Sequence, residues 1–238
     1  SSHAANNCIM EKSKSFHQTS CNRPSVRDNR PHLFSGQIVW QCTLCVLLLG
    51  WGACSSPQLE ERDEKGRLLA RFEINPKDSS KSGLYESFYD DGSIYESSTY
   101  ADDTLDGTRR LFHENGKLYI EEQYQMGQFE GPYRSFYESG QLQSEGQYIN
   151  NKMSGLWELY YPDGTLKAEI TFRNNLENGP FKTYHPNGNL HEKGEYKNGD
   201  NIHGTFMIYD TSGQHVRTME YENGRGKVIW TREGAKFD

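Results

Sequence analysis

The sequence predicts an all-β fold, an elongated antiparallel β-meander of repeated hairpins. Three columns of residues recur with one period of 24 or 25 residues, and three independent columns in step indicate a repeat protein. Each unit has a leading glycine, a second glycine nine positions later and a closing aromatic residue. The columns are Gly83, Gly107, Gly131, Gly155, Gly179 and Gly204; Gly92, Gly116, Gly140, Gly164, Gly188 and Gly213; and Tyr100, Tyr124, Tyr148, Phe172, Tyr196 and Tyr221.

Each unit has the pattern of one β-hairpin. Residues 155–161 are too few for a stable helix and are rich in residues that suit a half-buried strand. Asp163-Gly164 then predicts a tight turn, and residues 165–172 alternate apolar with polar side chains, as a strand with one buried face does. The links between units are four to six polar residues long, which is too short for a crossover helix. Successive hairpins should therefore continue one antiparallel sheet.

Half-units flank the six full units and set the limits of the repeat domain. Gly66 and Ile74 have the spacing of a second strand, and residues 226–230 look like one more first strand. We therefore expect a repeat domain over residues 66–238, with about 14 strands in a single twisted sheet.

Two aromatic columns occupy the first strand of each unit, two and five residues after the leading glycine. An offset of three cannot lie on one face of a regular strand, so either both faces carry aromatic rings or a bulge resets the alternation. Two interpretations follow. The rings form the core of a thin sheet through cross-strand pairs, or one ladder is an exposed binding face. In the second case Tyr133, Trp157 and Phe181, on neighbouring units, form the candidate binding face.

Residues 131–142 follow the pattern Gly-x-aromatic-x-x-aromatic-aromatic-x-x-Gly-x-Leu. This pattern resembles the variant class of MORN repeats found in bacterial proteins, many of which are described as YwqK-type antitoxins. The resemblance extends over residues 64–234. It implies a long, curved β-sheet that acts as a platform for protein or lipid contacts.

The amino-terminal segment, residues 1–54, is typical of a secretory leader. Three arginines precede an apolar stretch that begins at Ile38 and ends in Gly52-Ala53-Cys54. The ending resembles a lipobox, which would make Cys54 the lipid-modified first residue of a mature bacterial lipoprotein. Ordinary signal cleavage, an uncleaved anchor and a chance apolar stretch are the alternatives. Residues 55–65 then read as an acidic tether.

Charge makes nucleic acid an improbable partner. Residues 1–54 hold five of the 26 Lys and Arg and two of the 33 Asp and Glu, which leaves a net charge of −10 for the rest of the chain. A domain with this charge should bind neither nucleic acid nor an anionic lipid surface directly. The predicted contact with the membrane is the acyl chain on Cys54.

The sequence shows no motif that predicts catalysis, a cofactor or a metal site. It has no Gly-x-Ser-x-Gly elbow, phosphate loop or dinucleotide fingerprint, and all five cysteines lie within residues 1–54. His113 and His185 occupy a column where other units have tyrosine, which indicates a packing role. We therefore predict a protein that is not an enzyme.

Three functions are weighed. The first is a lipid-anchored, non-catalytic protein-binding or scaffolding platform at the bacterial cell envelope, with a protein partner of unknown identity. The second is an antitoxin or immunity-like protein that neutralises a partner toxin, and a neighbouring gene for a small toxin would support it. The third, an enzyme, requires carboxylates or histidines that converge in a cleft, and the sequence shows no such cluster.

Overall fold

The computed structural model describes residues 56–222 and 224–234, and these form fifteen β-strands. The strands are β1 Gln58–Arg62, β2 Leu68–Ile74, β3 Lys81–Phe88, β4 Ile94–Ala101, β5 Thr104–Phe112, β6 Leu118–Gln125, β7 Gln128–Phe136, β8 Leu142–Ile149, β9 Lys152–Tyr160, β10 Leu166–Arg173, β11 Leu176–Tyr184, β12 Leu190–Tyr196, β13 Ile202–Tyr209, β14 His215–Glu222 and β15 Arg225–Thr231.

All fifteen strands belong to one sheet, in the order of the chain from β1 to β15, and every neighbouring pair is antiparallel. The predicted all-β antiparallel meander is therefore confirmed. The extra strand is β1, which lies within residues 55–65, so the prediction of a tether is wrong for Gln58–Arg62. Its charged side chains hide the strand in the sequence, but its backbone pairs with β2 from Gln58 opposite Glu73 to Arg62 opposite Leu68.

Two kinds of turn alternate along the sheet. Within a unit, only the glycine has positive φ, as at Gly92 (φ 87°), and the preceding Asp91 accepts a hydrogen bond from the Ser93 amide. Between units, both central residues have positive φ, as at Asn150 and Asn151 (50° and 63°). Such a pair is typical of a type I′ turn, whose twist matches that of the flanking strands. Glycine and asparagine adopt this conformation at low cost.

Hydrogen bonds tie each unit to the next outside the strand ladders. The Tyr137 hydroxyl donates to the Tyr160 carbonyl at 2.7 Å, across a separation of 23 residues. His113 and His185 occupy the same column, and their Nε2 atoms lie 3.1 Å from the Phe136 and Tyr209 carbonyls. A carbonyl only accepts, so each imidazole Nε2 carries the proton. These histidines therefore replace tyrosine as hydrogen-bond donors between repeats.

The two aromatic columns lie on opposite faces of the sheet. Trp157 is opposite Ile170, whereas Tyr160 lies on the other face with Glu158. We call the face that carries Trp157 the packed face and the face that carries Glu158 the open face. Trp157 and Phe206 are each 1 % exposed on the packed face. The described residues place no second layer over this face, so we infer that the twisted sheet curls until side chains of neighbouring strands cover one another.

Candidate interaction surface

The centre of the open face is a row of twelve side chains from twelve strands, eleven of them charged, which we call the charged row. Cross-strand partners share a face, so the register places one residue from each of β1 to β12 in this row. Its members are Glu60, Arg71, Glu86, Ser97, Arg110, Glu121, Arg134, Glu145, Glu158, Glu169, Lys182 and Lys193.

From Glu60 to Glu145 the charges of the row alternate in sign, interrupted only by the uncharged Ser97, and neighbouring side chains form ion pairs. Arg110 Nε lies 2.8 Å from Glu121 Oε2, and Arg134 Nε lies 3.4 Å from Glu145 Oε2. About half of each arginine side chain is exposed. Exposed pairs of this kind contribute little to stability, typically about 0 to 1 kcal/mol each. The row is thus a solvated surface whose guanidinium and carboxylate groups are available to a partner.

The alternation fails at β8, β9 and β10, where three glutamates stand side by side. Glu145 is opposite Glu158, and Glu158 is opposite Glu169. Arg134 and Lys182 pair with the two outer carboxylates, at 3.4 and 3.1 Å, but the central Glu158 has no ion pair among the described side chains. Like charges directly opposite one another destabilise a sheet. This stretch, the acidic centre, therefore concentrates three carboxylates on adjacent strands, and its central member has no cation beside it among the described side chains.

Tyrosine hydroxyls from the second aromatic column line the acidic centre. The Tyr160 hydroxyl lies 3.1 Å from Glu145 Oε1 and 3.1 Å from Glu158 Oε2, so two carboxylates share one proton donor. The Tyr184 hydroxyl donates to Glu169. Burial, followed by this carboxylate, raises the pKa of Tyr184 to about 12, and the hydroxyl bond lowers the pKa of Glu169. Burial, followed by Glu158 and Glu145, also raises the pKa of Tyr160, so both tyrosines stay protonated donors at neutral pH.

The second aromatic column runs beside the charged row and packs against the start of the following strand. Phe112 is opposite Leu118 and Tyr160 is opposite Leu166, and all four side chains are half-buried. The open face thus offers a charged stripe with a partly apolar border. Aromatic and arginine side chains of this kind are over-represented in protein interfaces.

The residues predicted as a binding face lie on the packed face instead. Trp157 is 1 % exposed and Phe181 is 2 % exposed, while Tyr133 is half-buried with its ring centroid 5.3 Å from that of Trp157. The expectation of exposed rings is therefore wrong for Trp157 and Phe181. These rings form the core of the sheet, which is the alternative interpretation of the column. Trp157 packs on Phe172, and Phe181 stacks on Tyr196 at 4.2 Å.

Arg109 is the exception in the packed aromatic column and forms a half-buried ion cluster. Its guanidinium lies 2.8 Å from Glu96 Oε1 and 3.3 Å from Glu122 Oε2. Burial opposes its charge and is the largest single effect, but the hydrogen bond from Arg109 to Glu96 and the charges of Glu96 and Glu122 together outweigh it and raise the pKa of Arg109 above its usual value. Burial also raises the pKa of Glu122, although Arg109 opposes the shift. All members are paired inside the sheet, so the cluster is structural.

The remaining sequence predictions concern a metal site, lipidation and the membrane. Within residues 56–222 and 224–234, no group of three or more His, Cys, Asp or Glu side chains is placed to hold a metal ion. Cys54, predicted as the lipidation site, lies outside the described residues. Among the residues that the structure describes, no helix is long and apolar enough to cross a membrane.

Sequence reasoning missed the charged row, although its signal was present. Glu86, Arg110, Arg134, Glu158 and Lys182 all stand three residues after a leading glycine. The charge at this position changes sign from unit to unit, and in the sequence such a column indicates no more than a solvated surface. Only the register shows that these residues and those of the intervening strands form one continuous line.

Comparison with known proteins supports the repeat assignment. The MORN repeat variant model matches residues 81–102, 105–126, 129–150, 153–174 and 177–198. Each match begins two residues before a leading glycine and spans one hairpin with its following turn. No curated protein matches the chain. MORN repeats are generally repeats that bind proteins or membranes. Residues 81–198 thus contain five consecutive units that match the MORN repeat variant.

Proposed function

We propose that the chain is a non-catalytic binding platform that holds a protein partner on the open face of its sheet. The acidic centre carries this proposal. Three carboxylates stand in adjacent strands and repel one another, and Glu158 lacks an ion pair among the described residues. A partner with basic side chains would relieve this repulsion on binding, and the half-buried aromatic border would supply apolar contact.

The proposal includes membrane anchoring through an acyl group on Cys54. The apolar run ends there, and Gly52-Ala53 supplies the small residues that a signal peptidase needs. The platform would then stand at the bacterial cell envelope. Its repeat domain is acidic, so the acyl chain rather than the sheet would contact anionic lipid. Fatty-acid labelling with membrane fractionation tests this: wild type should label and pellet, whereas a Cys54→Ala variant that still labels contradicts it.

The platform proposal predicts opposite effects of one substitution on stability and on binding. Glu158→Gln keeps an acceptor for Tyr160 but removes the central charge, so the free energy of unfolding should rise by about 0.2 to 1 kcal/mol. Binding to a basic partner should weaken by about 1 kcal/mol or more. Glu114→Gln, in an exposed hairpin turn, is the matched control.

The measurement is quantitative capture from membrane extracts with wild type and both variants, beside urea unfolding of each. A partner that is lost with Glu158→Gln and kept with Glu114→Gln supports the platform. Equal capture by all three proteins contradicts the use of the acidic centre. A purified chain that turns over a substrate would contradict the non-catalytic assignment.

The antitoxin function stays a prediction within the same scheme. It requires that the bound partner be a toxin, and a basic toxin encoded beside this chain would suit the acidic centre. Co-expression of that neighbouring product with the chain, scored by growth, is the test. Rescue by wild type but not by Glu158→Gln would favour an antitoxin over a scaffold.

A further inference from the structure

β15 is the last of the described strands, and one of its two edges is unpaired among them. All seven of its residues are exposed, including Val228 (47 %), Ile229 (56 %) and Trp230 (44 %). One side of β15 pairs with β14, and no described strand covers its other side. An exposed apolar edge strand is a template for pairing with another strand, and natural proteins usually protect such edges with charge.

The opposite edge of the sheet is protected in this way, which makes the contrast informative. In β1, Glu60 and Glu61 follow each other in a five-residue strand. Two copies of β1 paired about their centre would bring glutamates face to face. The β1 edge therefore resists pairing with itself, whereas the β15 edge has an apolar centre.

The cations of β15 do not favour an acidic partner strand. Arg225 stands opposite Glu222 and Lys227 stands opposite Glu220 on β14. Each cation thus already stands across from a carboxylate of the same chain, and the middle of the strand, residues 228–230, is apolar. Trp230 is held in place by His215, whose ring stacks on the indole at 4.4 Å and 11°. A second apolar strand, and so a second copy of β15, fits this edge better than an acidic segment.

The odd number of described strands determines which symmetry such a pair can have. Neighbours are antiparallel throughout, so β1 and β15, the first and fifteenth strands, run in the same direction. Head-to-tail addition of a copy would need a parallel β15–β1 contact. A two-fold axis perpendicular to the sheet instead joins β15 to β15 antiparallel and keeps both packed faces on the same side. Any such register centred on Val228 or Ile229 places neither Arg225 nor Lys227 opposite another cation.

We propose that two copies of this chain associate through β15 in an antiparallel, two-fold symmetric contact that continues the sheet from one copy into the other. The contact is isologous, as in most soluble dimers. It is small, so a weak dimer whose population rises with protein concentration is expected. Because the open face continues across the axis, the dimer would present two acidic centres on one side.

Sedimentation velocity of the full chain over a broad concentration range tests this proposal. Wild type should show a reversible monomer–dimer equilibrium. Ile229→Lys places a charge at the centre of the contact and should raise the dimer dissociation constant on the order of tenfold or more. Leu59→Lys, on the β1 edge, is the matched control and should leave the equilibrium unchanged. Circular dichroism shows whether each variant keeps its sheet.

A second variant and a cross-link guard against loss of folding. Val228→Thr/Ile229→Thr keeps β-branched residues in the strand and should weaken the dimer in the same direction. Val228→Cys and Ile229→Cys are compared, and the variant whose cysteine stands at the centre of the register should give a disulfide between two copies of the same residue, located by peptide mass spectrometry. A wild-type monomer at all concentrations overturns the proposal. Association that survives Ile229→Lys, or that Leu59→Lys abolishes, overturns it as well, since it would arise from the amino-terminal segment or the β1 edge.

Discussion

Gly146 provides the sharpest test of how the packed face is built. It has an ordinary negative φ, so the sequence does not need glycine there for backbone reasons. A Cβ at this position would lie 2.3 Å from Trp157 Cδ2 and 2.4 Å from Trp157 Cε2. The glycine therefore makes room for the largest buried side chain of the sheet.

The cost of Gly146→Ala follows from how little the indole can move. Trp157 is enclosed by Tyr133, Tyr148 and Phe172, with ring centroids 5.3, 5.4 and 6.1 Å away. Relief of the clash requires a shift of roughly 1 Å, and overpacking of this kind costs about 1 to 3 kcal/mol. The gain from replacing glycine within a strand is smaller, about 0.5 to 1 kcal/mol. We expect a net loss of about 1 to 2 kcal/mol.

Urea unfolding, followed by circular dichroism, measures this loss. Gly194→Ala is the matched control, because its Cβ would lie 3.0 Å from Phe181 and 3.1 Å from Phe206, contacts that small shifts relieve. The control should cost less than about 1 kcal/mol. In a Trp157→Leu background, Gly146→Ala should lose most of its effect. If Gly146→Ala costs no more than the control, or the same in both backgrounds, the steric reasoning is refuted.

Three further predictions concern turns and buried charge. Among the described residues, Met126 (φ 48°) and Ser79 (φ 64°) are the two in links between units that have positive φ and are neither glycine, asparagine nor aspartate; Met126→Asn should raise the free energy of unfolding by about 1 kcal/mol, and Asn150→Met should lower it similarly, by urea unfolding. Arg109→Leu leaves two largely buried carboxylates unpaired and should cost about 3 kcal/mol in the same assay. Hydrogen bonds from the following turn residues lower the pKa of Asp91 and Asp163 in the folded protein, so the stabilisation is present above pH 3.8 and is lost as pH falls through the folded pKa. The double variant Asp91→Asn/Asp163→Asn should therefore lose less of its free energy of unfolding than wild type as the pH falls. An unchanged pH dependence would contradict this.

The repeat architecture was readable from the sequence because its signals are local. A positive φ at Gly92 or Gly164 is a requirement of a single turn, and the alternation in β10 belongs to a single strand. β1 escaped prediction because its five residues are mostly charged, and its strand conformation depends on pairing with β2 rather than on its own pattern.

The site was less predictable because it depends on relations between strands. The alternation of side chains along a strand places Trp157 and Tyr160 on opposite faces, but it does not show which of the two faces is buried when the sheet twists. The aromatic column was the more conspicuous feature and is the core. The acidic centre appears only when the register brings Glu145, Glu158 and Glu169 together from three strands.

Photo-crosslinking from the open face tests the central claim most directly. Leu156 lies on this face beside Glu158 and is half exposed, whereas Met126 is an exposed residue (74 %) in a turn at the sheet border. A photoreactive amino acid at each position, in the full chain within cells, reports which surface a partner occupies. We expect one discrete adduct from position 156 that Glu158→Gln weakens, and none from position 126. An adduct from position 126 alone, or one from position 156 that Glu158→Gln does not change, would contradict a platform that binds through its acidic centre.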